Sequence, residues 1–122
     1  FSCWCLQHEI TPKANVLFID TSHRYEHTIS ELAAWIPHLA DDGVLILHDT
    51  NMGAVTYARL DGSVGLGWNN LRGVIRAVEE FLGTRYEENR FFTDLRHGFL
   101  ILHYPFCNGL TILKRIPGID PP

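Results

Sequence analysis

The chain has 122 residues, 46% apolar and 20% charged, with 14 acidic against 10 basic side chains and a formal charge of −4. That length suits one domain, residues 1–122, whose single core buries roughly two thirds of the unfolded surface. The balance excludes disordered and fibrous classes, and the negative charge offers nucleic acid or an anionic membrane no electrostatic attraction.

No apolar run approaches the roughly 20 residues of a membrane span, and no basic start precedes an apolar stretch as in a signal peptide. Cys3, Cys5 and Cys107 are odd in number, and Cys3 and Cys5 are too close for an ordinary disulfide or a zinc knuckle. Free thiols in a reducing cytoplasm are the expectation. Residues 1–12 show no clear period, and a chain opening on Phe1 reads as a piece of something longer.

Val16 to Ile19 is a short β-branched and aromatic run, expected to be a strand buried on both faces. It ends abruptly in Asp20, and His23, Tyr25, Glu26 and His27 follow within seven residues. Thr21 or Ser22 is placed to cap a helix starting near Tyr25, along which Ile29, Leu32, Ala33, Ile36 and Ala40 recur at helical spacing. Pro37 is expected to kink its last turn and Asp41-Asp42-Gly43 to end it. Val44 to Leu47 is a second apolar strand, finishing on His48, Asp49, Thr50 and Asn51.

Strand, helix and strand with short connections predict two parallel strands joined by a right-handed crossover. Residues 51–69 are rich in glycine and polar side chains and read as a long mobile loop. A second helix is expected over residues 71–82, with Val74, Ile75, Val78 and Phe81 as its stripe and Gly83 as its stop. Phe99–Tyr104 and Leu110–Arg115 flank the turn signal Asn108-Gly109 and predict a terminal antiparallel hairpin.

Parallel neighbours lie about 4.8 Å apart, so Asp20 and Asp49 leave the same sheet edge and converge on one point. The carboxyl edge of parallel strands is where open α/β sheets bind ligands. Two carboxylates at that separation need a proton, a basic side chain or a cation between them. Oxygen ligands with Thr50 or Asn51 nearby suit Mg²⁺, whereas His23 and His48 suit a softer metal such as Zn²⁺ or Fe²⁺. The plain structural alternative is that each acid caps a helix and that His48 bonds backbone. His23, three residues past Asp20, is the candidate general base. His27 lies one turn further on, while His38, His97 and His103 read as structural. His48, Asn51 and Trp68 are candidate substrate contacts, Trp35 reads as packing, Glu79 and Glu80 as a solvated face, and Arg72 and Arg76 as another exposed face.

The stretch "FIDTSHRYEHTISELAAWIPHLADDGVLILHDT" resembles the second half of a class I S-adenosylmethionine-dependent methyltransferase. The similarity is to the small-molecule O-methyltransferase-like branch that writes "FIDGDHSYE…GGVLVLHDT". It is close over residues 15–52 and looser through "RGVIRAVEEFLG" and "NGLTILKR". The resemblance implies an α/β, Rossmann-like, partial methyltransferase sheet: parallel strands with flanking helices and a C-terminal antiparallel hairpin, entered at the fourth strand. It also implies S-adenosylmethionine as cofactor and a small-molecule hydroxyl as acceptor. In similar metal-dependent catechol-type enzymes, an Asp after the fourth strand and an Asp-Asn pair after the fifth hold a divalent cation such as Mg²⁺. Asp20 and Asp49 match the two acids, Thr50 stands where Asn would be, and His23 falls where those enzymes carry a basic catalytic residue. The glycine-rich loop that holds the cofactor in such enzymes has no counterpart before Val16, so the cofactor-binding residues stay unassigned.

The reading from another class is a truncated, non-catalytic α/β module. Its leading strand would expose an edge that invites pairing with another chain, giving a homodimer or a platform for a partner.

Overall fold

The computed structural model describes residues 2–9, 12–53, 55–68 and 72–118. A short helix α1 (Ser2–Gln7) precedes β1 (Ala14–Ile19), α2 (Tyr25–Trp35) and β2 (Leu39–His48). A hairpin of β3 (Val55–Ala58) and β4 (Val64–Trp68) leads to α3 (Gly73–Leu82), and β5 (Phe92–Arg96), β6 (Phe99–Tyr104) and β7 (Leu110–Arg115) close the chain.

The architecture is α/β, a partial Rossmann-like sheet of five strands in the order β1-β2-β7-β6-β5. β1 and β2 run parallel, with Val16 to Ile19 beside Val44 to Leu47. β7 is antiparallel to both β2 and β6, so the expected terminal hairpin is β6–β7, and β5 pairs antiparallel with β6 at the far edge.

Period-two burial explains which face holds the core. Leu45, Leu47, Ile101 and Leu113 are fully buried, and they meet Leu32 of α2 and Val74, Ile75, Val78 and Leu82 of α3. Burying a Leu or Ile side chain contributes about 1.5–3 kcal/mol, so this one layer carries most of the hydrophobic stabilisation. α3 repeats its apolar positions at helical spacing and stops at Gly83, which takes the left-handed conformation (φ 69°) of a helix C-terminus.

Several boundaries differ from expectation. β1 is not buried on both faces: Val16 and Phe18 are 61% and 60% exposed, because α2 and α3 cover only the opposite face. α2 ends at Trp35 and passes into a 3₁₀ turn over Ile36–His38, where Pro37 removes a helical donor. Ala40 and Asp41-Asp42-Gly43 therefore belong to β2, not to the helix end, and Leu39 already pairs with Ala14. Residues 51–69 hold the β3–β4 hairpin where a structureless loop was expected. The helix start expected at residue 71 lies outside the described residues, and α3 begins at Gly73. Among the described residues no helix is long and apolar enough to cross a membrane.

Candidate functional site

Because β1 and β2 are parallel and Ile19 lies beside Leu47, the residues that follow them emerge at one edge of the sheet. There the chain bends sharply at two non-glycine residues of left-handed backbone, His23 (φ 62°) and Asp49 (φ 60°). Such backbone costs about 1–3 kcal/mol per residue and persists where its surroundings hold it.

Those bends aim the side chains at one another. His23 Nε2 lies 2.6 Å from Asp49 Oδ2 and 3.1 Å from Asp20 Oδ1. His48 Nδ1 joins them, 3.3 Å from Asp49 Oδ2 and 3.8 Å from Asp20 Oδ1. Asp49 is 6% exposed, so its charge is nearly withdrawn from water and needs these partners, whereas Asp20 stays open to solvent. One ligand atom each from Asp20, His23 and Asp49 falls within a 4.8 Å sphere of mutual distance, close enough to grip a single cation.

Two neighbouring turns hold the cluster. The β6–β7 turn clasps the end of β2: His48 Nε2 donates to the Cys107 carbonyl at 3.1 Å, the Asn51 amide to the Asn108 carbonyl at 2.6 Å, and Asn51 Nδ2 to the Pro105 carbonyl at 3.0 Å. On the other side α3 begins against the turn of His23, where Gly73 lies beside the His23 carbonyl.

The expected site residues thus divide. Asp20, His23, His48 and Asp49 converge. Thr50 does not join them, since it is fully buried with Oγ1 3.4 Å from His103 Nδ1. Asn51 supports the β6–β7 turn through its amide group, and the side chain of Trp68 lies outside the described residues. Neither Thr21 nor Ser22 caps α2, whose N-cap is Arg24 with no side-chain cap. Thr21 instead donates to Glu31 at 2.6 Å, and Ser22 pairs with His27 Nδ1 at 2.6 Å. His27 turns away to Glu31, 3.0 Å from Nε2, and stays outside the cluster.

A buried polar network behind the site escaped the sequence reading. His103 is fully buried, donates from Nε2 to the Glu88 carbonyl at 2.9 Å and accepts the Thr111 hydroxyl at Nδ1, 2.7 Å away. Burial pushes its pKa below the ordinary histidine value, leaving the neutral ring these contacts require. Arg72 forks onto Glu88 at 2.5 and 2.9 Å and reaches Glu79 at 3.0 Å, so neither Arg72 nor Glu79 sits on a plain solvated face. Arg76 lies over the Tyr25 ring, 4.2 Å from its centroid. Nothing short of the fold brings Glu88 to Arg72, 16 residues apart, so no local pattern carried this signal.

With that geometry in place, comparison with known proteins adds one match. The model of a family described as a methyltransferase domain matches residues 5–50, spanning Asp20, His23 and Asp49. The match supports a methyltransferase domain in this chain, and methyl transfer as its general chemistry. No curated protein and no solved structure matches the chain.

An all-oxygen magnesium site fits these residues poorly. Asp20 and Asp49 offer carboxylates, but the third oxygen expected from Thr50 faces His103, and imidazole nitrogens from His23 and His48 stand beside the acids instead.

Proposed function

We propose that the chain is the acceptor-binding half of an S-adenosylmethionine-dependent methyltransferase acting on a hydroxyl of a small molecule, within a longer enzyme. The observation that carries the reading is His23 held between the strand-end carboxylates of Asp20 and Asp49, inside the region matched by the methyltransferase-domain family. S-adenosylmethionine supplies, when bound, an electrophilic methyl group on a sulfonium. The chain's own residues prepare the acceptor for it. The imidazole of His23 takes the hydroxyl proton, and Asp49, buried and 2.6 Å from Nε2, fixes the ring and faces the positive charge the ring gains. Asp20, more open to solvent, is positioned to orient the acceptor beside that ring.

His48 lines the same edge and adds a polar wall for the acceptor. The three cysteines are free, which suits the reducing cytoplasm. Incubating the full-length protein with S-adenosylmethionine labelled in the methyl group tests the reading against panels of small hydroxyl and amine acceptors. Label on hydroxyl oxygen, lost in His23→Gln, is the expected result. Label only on nitrogen, or none with any acceptor while the cofactor binds, would contradict it.

A further inference from the structure

A second line of proton-exchanging groups runs over the start of α2, apart from the His23 cluster. Ser22 Oγ lies 2.6 Å from His27 Nδ1, and His27 Nε2 lies 3.0 Å from Glu31 Oε1. The Thr21 hydroxyl donates to that same Oε1 at 2.6 Å and holds the carboxylate in place. Helical spacing makes the link from His27 to Glu31, because residues four apart are neighbours on a helix face. The link from Ser22 to His27 spans the left-handed bend at His23 (φ 62°).

The protons along this line run in one direction. An ionised carboxylate only accepts, so His27 Nε2 carries the proton that faces Glu31. The neutral ring then has its lone pair on Nδ1, and the Ser22 hydroxyl donates into it. A hydroxyl aimed at a base whose far nitrogen is oriented by an acid is the arrangement of an activated nucleophile. Glu31 suits the imidazolium that forms: its side chain is 11% exposed, and its Oε2 is buried with no hydrogen-bond partner among the described residues. Ser22 Oγ also accepts from the Arg24 amide at 3.4 Å, and α2 opens with no side-chain cap, so backbone donors lie in the same bend as the hydroxyl.

We propose that Ser22, His27 and Glu31 form a nucleophilic triad that hydrolyses small carboxylic esters. Ser22 Oγ attacks the carbonyl carbon of the ester while its proton passes to His27 Nδ1. The ester C–O bond then breaks, that proton goes to the departing oxygen, an alcohol leaves, and the acyl group stays on Ser22. Water gives a proton to His27 Nδ1 and adds to the acyl carbon. The bond to Oγ breaks, the proton returns to Ser22, and a carboxylic acid leaves. Glu31 holds the tautomer of the ring through both halves and faces its positive charge. His27 is 49% exposed, so the ester arrives from solvent. The groups around the hydroxyl are polar, Thr21, His27 and the Arg24 amide, so the acyl group is short. The triad uses neither His23 nor the strand-end aspartates and holds whatever the protein methylates.

The test uses the full-length protein carrying Cys3→Ser and Cys107→Ser, which removes the exposed thiols as rival nucleophiles. A fluorophosphonate probe, which reacts with activated serines, is located by mass spectrometry, and hydrolysis of p-nitrophenyl acetate is followed by its colour. The expected result is one label per chain, on Ser22, and ester hydrolysis that the label abolishes. Ser22→Ala loses both. His27→Gln slows labelling by about 10²–10⁴, and Glu31→Gln, which keeps the shape and removes the charge, slows it by at least about tenfold. His8→Gln, on α1, is labelled at the wild-type rate. Circular dichroism confirms that each variant is folded. No label, a label on any other residue, a labelled Ser22 without ester hydrolysis, or wild-type labelling in folded His27→Gln would overturn the proposal. Ester hydrolysis at Ser22 in a protein that transfers no methyl group would leave the triad standing and overturn the functional reading alone.

Discussion

Gly73 opens α3 directly against the turn that carries His23: a Cβ at Gly73 would sit 2.4 Å from the His23 carbonyl oxygen and 3.0 Å from the Tyr25 amide nitrogen. Both neighbours are backbone and cannot swing aside. Gly73→Ala must move either the first turn of α3 or the bend that aims His23. The expected loss is about 1–3 kcal/mol in urea unfolding, together with a fall in transfer rate larger than the folded fraction explains. Wild-type stability and rate would show that α3 does not press on this turn.

Gly109 plays the matching part on the other side. Its φ of +90° excludes most side chains, and a Cβ there would lie 2.3 Å from the Asn51 amide nitrogen. Gly118 also has positive φ, +80°, yet nothing lies within 4 Å of its Cβ position. Gly109→Ala is therefore expected to cost roughly 2–4 kcal/mol, against about 1 kcal/mol for Gly118→Ala. Urea midpoints of the two variants check the difference, which isolates the clash with Thr50 and Asn51 from backbone strain.

Arg72 neutralises two carboxylates, Glu79 and Glu88, whose side chains are only 10% and 16% exposed. The ion pair with Arg72 holds the Glu88 carboxyl below its ordinary pKa. Arg72→Ala leaves both acids facing each other and is expected to cost about 1–3 kcal/mol. Arg72→Lys restores the charge without the fork and should recover part of that loss. Because the folded pKa of Glu88 is depressed, its contribution is present above the unfolded value of 4.5 and is lost as pH falls through the folded pKa. Unfolding measured at pH 7 and below pH 4 should therefore show the penalty of Arg72→Ala shrinking in acid.

His103 gives a second pH dependence, of different origin. Below the ordinary value of 6.5 the unfolded ring takes up a proton, while the folded ring, its pKa lowered by burial, does not. The unfolded state then binds more protons, so stability falls as pH drops through 6.5 and levels off below the folded pKa. Urea midpoints of wild type and His103→Gln from pH 8 to pH 5 should converge toward acid, because the variant lacks this proton uptake. Parallel curves would place the titration elsewhere.

The parts of the fold legible in sequence are those with local causes. Val16–Ile19 and Val44–Leu47 are apolar runs cut off by Asp20 and by His48-Asp49, and that abrupt change of polarity marks where each strand leaves the sheet. The Asn108-Gly109 turn and the Gly83 stop are local backbone requirements and read equally well. Leu39–Gly43 looked like a helix end because Pro37 and two aspartates punctuate it, yet pairing with β1 draws it into β2. β5 has the sequence FTDLR, whose charged residues hide a strand set only by its pairing with β6. Of the site, Asp20, His23, His48 and Asp49 were visible as residues following strands. The link from His48 to Cys107 and the pairing of Thr50 with His103 span 59 and 53 residues and arise only from the fold.

Methyl transfer as proposed depends on His23, held against Asp49 and Asp20, receiving the acceptor's proton. The most direct measurement is the single-turnover rate of methyl transfer by full-length His23→Gln with cofactor and acceptor both saturating. A rate lower by about 10²–10⁴, with cofactor affinity and folded state unchanged, is the result the geometry predicts. A rate within twofold of wild type would contradict it.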